Sequence, residues 1–220
     1  MSLNYYEFKK NNQSPWIVDI LNKYLQYKTD GFLVEIGVGH TIYGIDKTLP
    51  ENLENFERCG SNTADLLDLG WSGIYIEPIK EYCDEVTISH KNNLERLKIV
   101  NIGASNVEDE LEIFLGDSFV PNSFGTLGYN WVGRKVKLDK TSHILEQNNC
   151  PKNIDLMSID VEGFEINVIQ GLDFTLHQPS IIIVEIDKVP IETINEKLFP
   201  FYTLVKNDNI NGVWIKKELI

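Results

Sequence analysis

No run of apolar residues in this chain approaches the ~18 that a membrane-spanning helix needs. The longest, Ile181–Ile186, already contains Glu185. Cysteine is scarce: Cys59, Cys83 and Cys150 are odd in number and widely spaced. That excludes a disulfide framework and a four-cysteine zinc site, and it fits a reducing compartment. Basic residues are in the minority, 20 against 33 acidic ones, for a net charge of −13. The densest basic clusters, Gly133–Lys137 and Lys216–Lys217, are too short to hold a phosphate backbone, so no nucleic-acid partner is expected. Met1–Asn12 has no apolar stretch of the kind a secretory signal carries, and the expectation is a cytoplasmic location without membrane insertion. Internal repeats, low-complexity tracts and Gly/Pro/Ser-rich linkers are missing too. What remains, 220 residues of which 42% are hydrophobic, fits one large α/β domain.

Short apolar runs and helical stripes alternate along it. Phe32–Gly37, Gly73–Pro78, Leu97–Ile102, Ile154–Ile159 and Ser180–Ile186 have the continuous apolar character of strands buried on both faces. Helices are expected from Ser61-Asn62-Thr63 to Gly70, after Pro78, over Asp139–Asn149 and from Gly163 to Gly171. Glu110–Leu115 and Arg134–Leu138 alternate charged with apolar residues, as strands or a ribbon on one sheet edge would. Phe201–Lys206 and Gly212–Lys216 flank the turn-rich Asn207–Asn211 and form a hairpin. The expected fold class is α/β: a Rossmann-like, mostly parallel sheet with a carboxy-terminal antiparallel hairpin and helices on both faces. Residues 1–30 form an amino-terminal helical extension to a domain over 31–220. Ligands of such sheets bind along the rim made by the carboxyl ends of the strands.

Four places on that rim carry chemistry. Glu35-Ile36-Gly37-Val38-Gly39 puts two glycines directly after a strand, where the backbone can turn tightly and approach a ligand. Thr41 stands where a third glycine would complete a dinucleotide fingerprint, and a Walker loop is also missing. Glu77, ending the second strand, can accept both hydroxyls of a ribose, or can be a solvated strand-end charge. Asp160-Val161-Glu162-Gly163 places two carboxylates between a strand and its helix; cap and dipole roles are the plain alternative. Glu185, late in an aliphatic strand with Asp187 on its face, must lie at the solvent-facing strand end or be paired. His40 follows the glycine turn, while His90, His143 and His177 sit in polar contexts as surface or packing residues.

These stretches resemble the FkbM family of S-adenosylmethionine-dependent methyltransferases. The matching segments are Val34–Gly39, Ser61–Thr63 through Gly70–Pro78, Ile154–Glu165, Val184–Ile186 and Tyr202–Asn211. The resemblance implies a seven-strand methyltransferase sheet and bound S-adenosylmethionine. Glu35, Gly37 and Gly39, with Asn62, would cradle the cofactor's amino-acid part and the ribose side. Glu77 would hold the ribose hydroxyls, Pro78 would join the cofactor site, and Ile102, Gly103 and Ala104 would line the adenine. Asp160 and Glu162 would face the methyl group and acceptor. Three departures are visible: Glu35 stands where the family usually has Asp, the family often has Asn near the position of Gly39, and residues 40–60 form a long insertion, expected to be an ordered flap.

The expected reaction is methyl transfer to an oxygen of a small-molecule or glycan acceptor. Asp160 or Glu162 would act as base or orienting group, with His40 as a further catalytic candidate. A variant has Asp160 and a nearby carboxylate hold a divalent cation, although no metal site is assigned. The alternative from another class is a non-catalytic methyltransferase-like fold that binds a nucleoside or a protein partner. A nicotinamide-dependent dehydrogenase is a third reading, weakened by the incomplete glycine fingerprint. Tyr129, Trp131 and Phe124 in Gly116–Gly133 line an acceptor pocket or cover the sheet edge, the latter being favoured.

Overall fold

A computed structural model of the chain describes residues 17–26, 28–39, 61–115 and 132–220. His40, the 40–60 insertion and residues 116–131, with Phe124, Tyr129 and Trp131, lie outside the described residues. The elements run α1 (Ile17–Leu25), β1 (Phe32–Ile36), α2 (Ala64–Asp68), β2 (Ser72–Ile76), α3 (Lys80–Ser89), β3 (Leu97–Val100), β4 (Gly103–Ser105) and β5 (Asp109–Leu115). They continue with β6 (Val132–Lys140), α4 (Thr141–Gln147), β7 (Asn153–Ile159), α5 (Glu165–Gln170), β8 (Gln178–Glu185), α6 (Ile191–Leu198), β9 (Tyr202–Asn207) and β10 (Asn211–Lys216).

The apolar runs become the centre of a seven-stranded sheet in the order β3-β2-β1-β7-β8-β10-β9. Strands β3 to β8 of that order are parallel to their neighbours, and β10 and β9 are antiparallel. Alternation along β1 sends Leu33 to one face and Val34 and Ile36 to the other. Leu33 joins Leu21 of α1, Leu66 and Leu67 of α2 and Val86 of α3 in one core layer. Val34 and Ile36 join Ile144 and Leu145 of α4, Val168 and Ile169 of α5 and Ile194 and Leu198 of α6 in the other. Helices thus cover both faces. Within the amino-terminal extension, α1 is docked through the buried Leu21. The chain after it is fastened by Asp155 of β7, which accepts from Lys28 Nζ at 2.9 Å and from the Phe32 amide at 2.8 Å. Among the described residues no helix is long and apolar enough to cross a membrane.

The charged, alternating segments do not join an edge of this sheet. They form a separate three-stranded sheet, β4-β6-β5. The reason lies in their apolar sides: Ile113, Val136 and Leu138 close over Ile79 and Tyr82, with Leu111 and Phe164 packed against them. On the outer side, Glu110 lies opposite Lys137 and Glu112 opposite Lys135. The ribbon therefore has its own small core and a charge-matched exterior.

Where β1 ends, the chain turns with Gly37 at φ +81° and Gly39 at φ +58°. A Cβ on Gly37 would lie 1.7 Å from the carbonyl oxygen of Asp160, whereas one on Gly39 would meet nothing within 4 Å among the described residues. Gly37→Ala is therefore expected to lose several kcal/mol, by about the amount at which a domain ceases to fold. Gly39→Ala should cost only the ~1 kcal/mol of a left-handed residue. Urea denaturation of the two variants side by side measures the difference.

Candidate active site

The sheet reverses its direction of growth between β1 and β7. From β1 the chain winds outward through β2 and β3, and from β7 outward through β8. The crevice at such a reversal, outside the carboxyl ends of the strands, is where open α/β sheets bind ligands. Backbone bonds lock that spot. The Gly37 amide donates to Ile76 O at 2.9 Å, and the Asp160 amide donates to Ile36 O at 2.9 Å. The turns after β1, β2 and β7 are thereby held together, and with them Gly37, Gly39, Glu77 and Asp160.

Glu77 is buried. Its Oε2 accepts from the Gly39 amide at 3.2 Å and its Oε1 from the Ile79 amide at 2.8 Å. The Asn101 side chain donates to the carbonyls of Glu77 and Pro78 at 3.0 and 2.9 Å. Pro78 lies beside Gly103, where a Cβ would come 3.6 Å from the proline ring and 2.4 Å from Leu138. Gly103 and Ala104 belong to β4, and Ala104 is buried in the core. Ile102 is half-buried just before them.

Glu35 is 3% exposed. It stands level with Tyr75 on β2 and Ser158 on β7. Its Oε2 accepts from Ser61 Oγ at 2.8 Å and from Thr63 Oγ1 at 2.5 Å, and Thr63 Oγ1 is 2.8 Å from the Tyr75 hydroxyl. Ser61 Oγ also accepts the Ala64 amide at 3.0 Å, so the same hydroxyl caps α2. Asn62 Nδ2 donates to Ser158 Oγ at 3.2 Å, and its Oδ1 is buried without a hydrogen-bond partner among the described residues. Glu35 thus grips the start of α2, where the 40–60 insertion rejoins the sheet. Burial pushes its carboxyl up to about 7; donation from Thr63, Ser61 and Tyr75 pulls it back, and the charge of Asp160 raises it.

Beyond β7 the turn folds around a residue that the sequence did not single out. Glu165 Oε1 accepts the amides of Val161 and Gly163 at 3.2 and 3.0 Å. Glu162, between them, has φ +59°, unusual for a residue with a side chain. It is ion-paired with Lys188 from the turn after β8. Asp160 is half-buried, and the side chain of Glu185 is buried. Burial raises both, Asp160 to about 6 and Glu185 to about 9. The Glu185 side chain partly offsets the rise at Asp160, and the charge of Asp160 adds to it at Glu185. Among the described residues no group of three or more His, Cys, Asp or Glu is arranged to hold a metal ion.

Of the residues expected on the rim, Gly37, Gly39, Glu77 and Asp160 meet at the crevice, and Glu162 is held beside them by Lys188. Glu35 and Asn62 face the start of α2, and Gly103 and Ala104 are taken up by the smaller sheet. The sequence reading missed Ser61, Thr63 and Tyr75 as partners of Glu35, and missed Lys188 and Glu165. Only Glu165 had a signal, an acidic first-turn residue close behind a glycine.

A parallel seven-stranded sheet closed by an antiparallel carboxy-terminal pair is the fold of methyltransferases. The chain superposes on the methyltransferase FkbM of Methylobacillus flagellatus KT with a TM-score of 0.54 at 10% identity, over 96% of this chain and 57% of that one. On the METTL16 MTase domain the TM-score is 0.50 at 10% identity, over 92% of this chain and 67% of that one. The chain thus spans little more than half the length of the FkbM protein. The methyltransferase FkbM domain matches residues 50–207, and the chain belongs to that family. The matched stretch includes Glu77 and Asp160–Gly163 but begins after the glycine turn. No curated protein matches the chain.

The buried carboxyl of Glu35 sets a pH dependence. Because its pKa is higher in the folded than in the unfolded chain, the folded state binds more protons between about pH 4.5 and pH 7. Its contribution to stability is complete below 4.5 and is lost as pH rises to about 7. Asp160 and Glu185 act with the same sign. Glu35→Gln cannot titrate, so its urea stability should fall less steeply between pH 5 and pH 8. Summed over that interval, the difference between the two stability changes should reach up to about 3 kcal/mol.

Proposed function

We propose that the chain transfers a methyl group from S-adenosylmethionine to an oxygen of a small-molecule or glycan acceptor. The observation that carries this reading is the bond from the Gly39 amide to Glu77, made where Gly37 touches Asp160. A glycine turn, a carboxylate for a ribose and a carboxyl beside the reacting centre are thereby brought into one crevice. The residues present fit the cofactor. Glu77 is held by two amides for a ribose diol, and the carboxyls around Asp160 suit a sulfonium charge. Bound there, the cofactor supplies an electrophilic methyl group.

The chain's own residues do the remaining work. Asp160 takes the proton of the acceptor hydroxyl. Glu162, engaged by Lys188, orients the acceptor. Glu35 is a positioning residue that acts through Ser61 and Thr63. Pro78 and Ile102 flank the adenine. A cytoplasmic location belongs to the same proposal.

Calorimetric titration with S-adenosylmethionine tests the proposal. Binding is expected for the wild-type chain. Glu77→Gln, which keeps one oxygen for the Ile79 amide but loses the charge, should bind about 10- to 100-fold more weakly, the worth of hydrogen bonds to a charged acceptor. Absence of binding, or equal affinity in the variant, would overturn it.

A further inference from the structure

At the end of β2 the ladder to β3 stops one bond early. The Glu77 amide still donates to Val100 O at 3.0 Å. In a parallel ladder of this register the next bond would run from the Ile102 amide to Glu77 O. That amide instead turns back onto its own strand and donates to Val100 O at 3.1 Å. Pro78, which follows Glu77, has no amide proton with which to extend the ladder. The Asn101 side chain takes the place of the missing bond. Its Nδ2 donates to Glu77 O at 3.0 Å and to Pro78 O at 2.9 Å. One nitrogen with two protons thus clamps two successive carbonyls, where a carboxylate would have no proton to give and a hydroxyl only one. The Cys83 thiol also reaches Glu77 O, at 3.3 Å, but a thiol is a weak donor.

The clamped turn is the one that presents the buried Glu77 carboxylate. Oε1 accepts the Ile79 amide within that turn, and Oε2 accepts the Gly39 amide from the turn after β1. The carboxylate keeps its place between the two turns only while the backbone at Glu77 and Pro78 stays fixed. Asn101 itself is exposed, where water competes for its protons and a hydrogen bond adds little to folding. Its two bonds therefore matter less for the fold than for the direction of the side chain they hold. Resting on the function proposed above, we infer that Asn101 is a positioning residue for the cofactor: by holding the Glu77 and Pro78 carbonyls in place of a sheet bond, it aims the Glu77 carboxylate at the ribose hydroxyls. It acts through Glu77 and needs no contact with the ligand.

A double-mutant cycle, read by calorimetric titration with S-adenosylmethionine, tests this. Asn101→Ala should weaken binding about 5- to 30-fold, the worth of one or two neutral hydrogen bonds, while its urea midpoint stays close to that of the wild type. In the Glu77→Gln background the same substitution should cost about twofold or less, because the carboxylate it aims is gone. Asn101→Asp adds a readout that general loosening of the fold would not give. Ionised, the introduced carboxylate faces two carbonyl oxygens with nothing to donate; protonated, it regains one bond. Its affinity relative to the wild type should therefore recover as pH falls from about 8 to about 5. Binding by Asn101→Ala within about twofold of the wild type, an equal loss in both backgrounds, or a deficit in Asn101→Asp that ignores pH overturns the inference and leaves the cofactor reading intact. Failure of the wild-type chain to bind overturns both.

Discussion

The carbonyl oxygen of Asp160 occupies the place where a side chain on Gly37 would stand, and the rim is organised around that contact. It brings the turn after β1 against the turn after β7 at the point where the sheet reverses. Backbone bonds from Gly37 to Ile76 and from Asp160 to Ile36 then align the ends of three adjacent strands. Side chains that are far apart in the chain are thus placed together by main-chain geometry. Rigid strands, not loops, set their spacing, which is what a site needs if reacting atoms are to be held in line.

Acidic side chains carry most of the local chemistry, and each has a different environment. Glu77 is bonded by backbone amides, Glu35 by hydroxyls and Glu162 by a lysine, while Asp160 has other carboxyls around it. Amides and a cation favour ionisation, while burial and a like neighbour oppose it. One sheet edge therefore offers carboxyl groups with distinct protonation behaviour within a small space, the arrangement that separates an acid–base group from an electrostatic anchor.

Much of the sheet was legible because buried parallel strands have to be apolar throughout. Phe32–Gly37, Ile154–Ile159 and Ser180–Ile186 leave little choice of element, and glycines or a proline mark where they turn. The rim positions followed, since they are the residues that come next. Less legible was anything decided by approach between distant segments. The alternation in Glu110–Leu115 is compatible with either sheet, and only its packing over Ile79 and Tyr82 selects the smaller one. Ser61 and Thr63 look like ordinary cap residues, and their bonds to Glu35 depend on where α2 lands. Lys188 carries no local signal at all; its ion pair with Glu162 exists because β7 and β8 are neighbours.

The two points where residues 40–60 leave and re-enter the fold are each tied to a carboxylate of the sheet, Gly39 to Glu77 and Ser61 with Thr63 to Glu35. These stitches fix both anchors from the scaffold side. Both anchors therefore take their positions from the sheet itself, one from the end of β2 and the other from β1.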